Sequence, residues 1–532
     1  MLPSFGYGIQ GPHYPLKLGA KAFSSVATSS QARSRKPWCQ PMSGNRRAPP
    51  GAGRWSAASS RQLSGLPGSS SHPRIGRQIL TDAALADGLP TPRRFLAIGA
   101  LSFGTSLVII DGSIAGVALP TIARDLRVDS SAVIAIVSLY QLIFVMMLLP
   151  FAGLGDRIGL KRMYQGGQLL FTLATLLCFL ADNLPYLLAA RAAQAIGAAA
   201  TLSVSSALIR SVYPASQLGR GLGINTVFVT SGAALAPTLG GLILSVAPWP
   251  WVFASAVPFA ILSLLLGRAL PDIAPRIEPF DIVGAALCAA MFGLIIGGID
   301  VSVHNASQTM SAAIVITGAV IGVFFVRREL GEAKPILPVD LLMRPLLALS
   351  ALGAFTAFTA SMTILLSTPF RLQQSYGFTP VQVGTAIAAW PLTNMIVAPT
   401  AGWLSDRVSA GILGGIGMTV SIVGLMLLAI LPPHPTTLDV AWRMSLCGSG
   451  FGIFLSPNAR LIIGGAPRDR AAAAGSLVST VRLVGQTTGA TLVALLLAAG
   501  IGTGSAPAFV AASFAMIAGL CSVSRLRPAL DR

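Results

Sequence analysis

Fourteen long apolar runs follow Phe95, and they constrain the fold more than any other feature of the sequence. Each run is long enough to cross a hydrocarbon layer of about 30 Å as a helix. Only 10% of the residues are charged, against roughly 25% in soluble domains. The sequence therefore predicts an all-α polytopic membrane protein. The runs cover residues 95–117, 131–151, 163–181, 185–208, 221–246, 250–269, 281–299, 310–326, 346–369, 379–403, 409–431, 440–459, 473–498 and 503–523.

The basic residues between the runs predict the orientation of the chain. If the N-terminus is cytoplasmic, most flanking Lys and Arg residues fall on the cytoplasmic side, as the positive-inside rule requires. The other side then holds four, which are Arg124, Arg127, Arg371 and Arg443. An even number of spans places both termini in the cytoplasm. The net charge of +19 lies largely in these loops and in the N-terminal extension, so it does not indicate a nucleic-acid partner.

Residues 1–92 differ in composition from the rest of the chain. They are rich in Ser, Gly, Pro and Arg, and their only acidic residues are Asp82 and Asp87. Such a segment buries too little apolar surface to order itself, so it is predicted to be a disordered basic extension. A cytoplasmic tail, an organelle transit peptide and an over-extended start site all fit this composition.

A short charged loop between the second and third runs, residues 152–162, predicts a tight antiparallel helix hairpin. A truncated copy, residues 402–407, lies between two later runs. A loop repeated in two halves of an apolar chain is typical of transporters built from structural repeats. Ordinary membrane loops whose charges set orientation are the alternative. The candidate conformational residues are Asp156, Arg157, Gly159, Lys161, Arg162, Asp406 and Arg407.

Several polar residues interrupt the apolar runs, which is costly in a membrane and usually marks an ion or substrate pathway. An acid near the water boundary and a purely structural arginine are the alternatives. Asp111 is the strongest candidate for a proton or cation site, because it is the clearest acid inside a run of the first half. The complete candidate set is Asp111, Arg191, Gln194, Asn225, Asn394, Arg482 and Gln486.

The fifth run contains a cluster of small residues around one proline, with the pattern of a hinge. Proline removes a backbone donor and favours a bend, whereas glycine permits close helix approach. Close packing alone is the alternative explanation. The candidate hinge residues are Gly232, Pro237, Gly240 and Gly241.

These motifs resemble a known transporter family. The 152–162 loop resembles the G-x-L-a-D-R-x-G-r-k loop of the major facilitator superfamily. The stretch from Asp111 to Pro120 resembles the first-span signature of its fourteen-span drug:proton antiporters, and Arg191 with Gln194 resembles the R-x-x-Q-G-x-G motif. The hinge cluster resembles the antiporter motif of the fifth span. The Trp249–Phe253 stretch resembles the W-R-W-x-F opening of the sixth span. The sequence departs from these patterns at Ala152, Ser113, Gly116, Ala195, Ala236 and Pro250.

The resemblance implies a major facilitator fold with a six-helix bundle over 93–270, two additional spans and a cytoplasmic linker over 271–345, a second six-helix bundle over 346–524 and a tail over 525–532. It implies proton-coupled export of amphipathic, cationic drugs or toxic compounds, with Arg191 in proton coupling. A facilitator of a small metabolite, coupled or uncoupled, and a nontransporting membrane sensor are the alternatives.

The remaining expectations concern chemistry and location. No phosphate-binding G-x-x-x-x-G-K loop occurs, so we expect no enzyme activity and no cofactor, with a proton gradient as energy source. The five cysteines show no metal-ligand spacing, so no metal site is expected. The expected partners are protons, a small-molecule substrate and the lipid bilayer. We expect a monomer in the plasma membrane, which in bacteria is the inner membrane.

Overall fold

The computed structural model describes residues 88–214, 217–273, 281–304, 308–332, 337–405, 407–466 and 471–526. All regular structure in these ranges is helical, as the sequence predicts. The fourteen long helices are α1 Thr91–Leu126, α2 Ser130–Ile158, α3 Leu160–Phe179, α4 Leu184–Val212, α5 Leu218–Val246, α6 Pro250–Ala269, α7 Ile282–His304, α8 Gln308–Glu329, α9 Pro345–Phe370, α10 Pro380–Leu404, α11 Ala410–Ala429, α12 Thr437–Gly464, α13 Ala471–Ala498 and α14 Ala506–Ser524.

Thirteen of these helices, within the described ranges, are long and apolar enough to span a membrane. The fourteenth, α3, has 20 residues, but its first turns carry Lys161, Arg162 and Gln165, which lower its hydropathy. Helix α1 has 36 residues and continues through Pro120 to Leu126, beyond the end of the first predicted run at 117. Of the predicted extension over residues 1–92, positions 1–87 lie outside the described residues.

The helices pack into two groups of six. Helix α1 packs on α5 and α6, and α4 packs on α2 and α3. In the second group α9 packs on α13 and α14, and α12 packs on α10 and α11. Helices α7 and α8 pack on each other, and α7 also contacts α2 and α13. The extra helix pair therefore lies beside the seam at which α2 and α13 join the two groups.

The two bundles meet on one side of the molecule. We call the side at which α1 begins, with Arg93 and Arg94, the basic face, and the side at which α1 ends the opposite face. One buried cluster near the opposite face combines Ile114 of α1, Phe370 of α9 and Val493 of α13. Near the basic face each bundle has a cluster of its own, and neither contains described residues of the other bundle. The bundles are thus joined at the opposite face and separate towards the basic face.

The pair α7–α8 is joined by an ion pair at its basic end. Asp281 precedes α7 and accepts two hydrogen bonds from the Arg328 guanidinium of α8, at 2.5 and 2.9 Å. These bonds hold the pKa of the Asp281 carboxyl below its usual value. Glu329 of α8 is buried and accepts a hydrogen bond from the backbone of Leu337, which attaches the following linker to the pair.

Candidate substrate and proton site

A buried ion pair joins α1 to α4 inside the first bundle. Arg191 Nη1 donates to Asp111 Oδ2 at 2.5 Å. Asp111 is 1% exposed and Arg191 is fully buried. The sequence left open whether this acid lies near the water boundary and whether the two charges meet, and the structure places both in the bundle interior. Because each charge would be very costly alone in this environment, the two depend on each other.

Gln194 completes the hydrogen bonding of the pair. It follows Arg191 by one helical turn, accepts from Arg191 Nη1 at 2.5 Å and donates to Asp111 Oδ1 at 3.0 Å. Its amide nitrogen also donates to Thr175 Oγ1 of α3, at 2.8 Å. Both oxygens of the Asp111 carboxylate are thus bonded, and three helices contribute to one network.

The guanidinium of Arg191 lies against an aromatic ring as well. Its central carbon is 4.1 Å from the ring centroid of Tyr140 on α2, within the range of a cation–π interaction. Arg191 Nε donates to the backbone oxygen of Ile136. Among the described residues, Arg191 Nη2 and Tyr140 Oη have no hydrogen-bond partner. The site therefore keeps a free donor and a free hydroxyl beside a titratable carboxylate.

Sequence reasoning missed Tyr140 and Thr175. Both are uncharged residues in apolar runs and match no motif. Only their position one helix away from Arg191 and Gln194 reveals their part in the network.

Asn225 and Asn394 lie outside this network. Asn225 of α5 accepts a hydrogen bond from Thr105 Oγ1 of α1, at 2.8 Å. Asn394 of α10 is partly buried, and its Oδ1 has no partner among the described residues. Near Asn394, Ser231 of α5 contacts the sulfur of Met395. These amides lie on α5 and α10, the two helices that join the bundles on that side of the molecule.

Arg482 and Gln486 lie one turn apart on α13, and both are partly accessible. Neither forms a hydrogen bond or ion pair with any described residue. They are separate from the Asp111 network, which all belongs to the first bundle. The structure therefore divides the predicted polar residues into one hydrogen-bonded cluster around Asp111 and four residues outside it, which are Asn225, Asn394, Arg482 and Gln486.

The predicted conformational loop is a turn of one residue. Gly159 alone separates α2 from α3, with φ of 103° and ψ of 128°, a conformation that glycine adopts without strain. Asp156 and Arg157 lie in the last turn of α2 and are exposed. Lys161 pairs with Asp272 at 3.1 Å, and Arg162 is exposed.

A cavity of about 350 Å³ lies beside this turn on the basic face. Its lining includes Asp156, Gly159 and Arg210. In the second copy of the loop, Arg407 lies 4.4 Å from the ring of Trp403, whereas Asp406 lies outside the described residues.

The predicted hinge residues form contacts on two sides of α5. A Cβ atom at Gly232 would lie 2.8 Å from Ile110 of α1, and one at Gly240 would lie 2.8 Å from Ile114. A Cβ at Gly241 would lie 2.5 Å from the Pro380 carbonyl oxygen of α10. Helix α5 is continuous through Pro237. The small residues therefore bring α5 close to α1 and to α10.

A second buried arginine, Arg525, was assigned to the tail on sequence grounds. It is 7% exposed and donates to Ser350 Oγ, Asn458 Oδ1 and Ser522 Oγ at 2.6–2.8 Å. It thus connects α9, α12 and α14 near the basic face. The predicted tail from residue 527 onward lies outside the described residues.

The family is settled by comparison with known proteins. Residues 101–490 match the description "Major Facilitator Superfamily". The chain belongs to this superfamily. The match covers most of both bundles, and it makes the protein a membrane transporter by family rather than an enzyme.

Three relatives show the range of this resemblance. The chain is 43% identical over 445 residues to the uncharacterized transporter YebQ of Escherichia coli, covering 83% of this chain and 97% of YebQ. It is 30% identical to the multidrug resistance protein Stp of Mycobacterium tuberculosis, covering 76% of each chain. It is 28% identical to the riboflavin transporter RibZ of Clostridioides difficile, covering 73% of this chain and 85% of RibZ.

A solved structure has the same fold. It is a bacterial homologue of the lysosomal transporter Spinster in an inward-facing, unoccupied conformation, with a TM-score of 0.61 and 17% identity, covering 82% of this chain and 99% of that chain. At this identity the likeness concerns the fold.

Proposed function

We propose that this superfamily member is a proton-coupled exporter of amphipathic, cationic drugs or toxic compounds that works by alternating access. The observation that carries the proposal is the buried Asp111–Arg191–Gln194 network. A carboxylate inside the bilayer can take up a proton, and the loss of its charge changes the stability of the buried pair. Protonation would then shift the balance between two conformations. The relative Stp, named as a multidrug resistance protein, supports the substrate class.

The bundles are joined at the opposite face and separate towards the basic face, and this arrangement indicates the direction in which the transporter is open. If the basic face is cytoplasmic, as the positive-inside rule favours, the bundles are separate towards the cytoplasm, and the chain faces inward. Both termini would then be cytoplasmic, and the protein would lie in the plasma membrane, the inner membrane in bacteria. A reporter enzyme fused after Arg532 should be active only in the cytoplasm. Activity on the external side would contradict this orientation.

The test of coupling uses Asp111→Asn, which keeps the size of the side chain and removes its charge and proton site. In inverted vesicles with an imposed proton gradient, we expect the gradient-driven transport of a dye cation to be lost, because the variant has no proton site inside the bundle at this position. Neutral amphipathic substrates should be less affected. Dye transport should be measured together with the pH inside the vesicles. This separates a loss of coupling to protons from a loss of dye binding.

The matched control is Asp125→Asn, on the same helix. Asp125 is exposed at the end of α1, so the variant removes the same charge outside the network. It should transport at the wild-type rate. Wild-type transport by Asp111→Asn at equal protein level would remove this carboxylate from the mechanism.

A small-metabolite carrier is the second candidate, because the relative RibZ is named as a riboflavin transporter. The same vesicles distinguish the two functions. Riboflavin transport without proton movement would favour the metabolite carrier, whereas proton-driven transport of cationic dyes would favour the exporter. A sensor would transport neither.

A further inference from the structure

Arg482 is a permanent cation in the middle of α13, with a partly accessible side chain. It forms no hydrogen bond or ion pair with any described residue. A guanidinium cannot lose its charge at working pH, and an unpaired charge in a membrane interior is costly. A cation kept in this position therefore needs water or an anionic group from outside the chain.

The neighbours of α13 show where Arg482 lies. A Cβ at Gly485 would lie 2.6 Å from the Phe355 carbonyl oxygen of α9, so that residue marks the face towards α9. Leu483 belongs to a buried cluster with Leu107 of α1 and Tyr140 of α2, so it marks the face towards the first bundle. At about 100° per residue, Arg482 lies between these two faces of α13.

The same strip of α13 continues through Gln486 to Val493. Val493 is fully buried in the cluster that closes the opposite face, whereas Gln486 and Arg482 are partly accessible. Arg482 and Gln486 are thus the partly accessible positions of this strip, on the side of α13 between its contact with α9 and its contact with the first bundle. A substrate that moves between the bundles, as the proposed transport function requires, would pass beside them.

No described carboxylate is paired with this cation. After residue 346 the sequence contains no Glu, and of its four Asp residues only Asp439, at the start of α12 and paired with Arg443, is described; Asp406, Asp469 and Asp531 lie outside the described residues. In the first bundle, the carboxylate oxygens of Asp111 are bonded to Arg191 and Gln194. Among the described residues, no carboxylate of the second bundle balances the charge of Arg482.

We propose that Arg482, with the Gln486 amide one turn away, binds an anionic group of the transported substrate. This inference rests on the transport function proposed above and narrows its substrate class. The preferred compounds would be amphipathic molecules that carry a carboxylate or a similar anion in addition to their cationic and apolar parts. A guanidinium and an amide on one helix face match the oxygens of a carboxylate.

The experiment compares two dyes that differ in one group, a rhodamine with a free carboxylate and its cationic methyl ester. Binding to the purified full-length protein in nanodiscs is followed by fluorescence anisotropy. The wild type should bind the carboxylate dye about tenfold more tightly than the ester, the effect of one hydrogen bond to a charged group. Arg482→Gln should remove this preference and leave ester binding within about twofold.

Two further variants exclude indirect effects. Arg344→Gln removes an exposed arginine that directly precedes α9 and should keep the preference. Gln486→Glu keeps Arg482 but supplies an internal carboxylate one turn away, close enough for an ion pair, and should also abolish the preference. This second route tests the inference even where Arg482→Gln does not fold.

Two kinds of result would overturn the proposed role of Arg482. It is wrong if the wild type shows no preference for the carboxylate dye, whether both dyes bind equally or neither binds. It is also wrong if the preference persists in the folded Arg482→Gln or Gln486→Glu variants. Failure of the transport proposal has a different signature, which is dye binding without proton-driven movement in vesicles.

Discussion

The coupling between Asp111 and Arg191 can be measured with a double-mutant cycle. Arg191→Leu removes the guanidinium and leaves the Asp111 carboxylate with one hydrogen bond, from Gln194, inside the bundle. Breaking a buried pair by removing one partner costs about 3–5 kcal/mol of stability. Asp111→Asn leaves Arg191 equally unbalanced. The double variant removes both charges, so it should be more stable than the sum of the two single losses predicts.

The assay is reversible unfolding in mixed micelles, which yields the free energy of unfolding for each variant. We expect a coupling energy of about 1.5 kcal/mol or more, because contacting residues in one buried network couple by about 0.5–3 kcal/mol. The control cycle uses Asp439→Asn and Arg443→Leu, a pair at the more exposed start of α12, and its coupling should be much smaller. Additive losses at Asp111 and Arg191 would refute the mutual dependence of the two charges.

Further variants test the two charged loops and the contact between α5 and α10. Asp156→Asn should reduce the transport rate several-fold while leaving the protein in the membrane, and the exposed control Asp182→Asn should not; equal rates would make the loop only an orientation signal. Asp406→Asn should be milder, because its copy of the motif is truncated. Gly384→Ala would force a Cβ onto the Pro237 carbonyl oxygen and should destabilise the joined opposite face by about 1–3 kcal/mol. The yield of cysteine cross-linking between α5 and α10 should fall in that variant. An unchanged yield would show that the two helices accommodate the added methyl group without moving apart.

The helical class and a tight turn between the second and third runs were predictable from local information, but the sequence placed that turn over residues 152–162, whereas Gly159 alone separates α2 from α3. Apolar run length determines the class, and a glycine between Asp156 and Lys161 is the residue that a tight helix hairpin needs. The end of α1 was not predictable from hydropathy alone. There the charged residues Arg124 and Asp125 still belong to the helix, which ends at Leu126 and is capped by Arg127 in a left-handed conformation with φ of 54°.

The partners within the candidate site required tertiary packing. Asp111 and Arg191 are 80 positions apart, and no local pattern specifies that α1 and α4 place them together. The same limit applies to Arg525, which directly follows α14 and has the sequence signature of a flanking charge. Its burial depends on Ser350 and Asn458 reaching it from two other helices.

The Asp111–Arg191 pair has a consequence for the energetics of each turnover. Both residues belong to one bundle, so in the alternating-access cycle proposed above a rocking motion between the bundles would carry the pair along as a unit without separating its atoms. The cost of dehydrating the two charges would then be incurred when the protein folds and would not be repeated in every cycle. In that cycle, movement of the bundles alone would not break the pair. Protonation of the carboxylate would weaken it, so the proposed trigger and the motion between the bundles would act on different contacts.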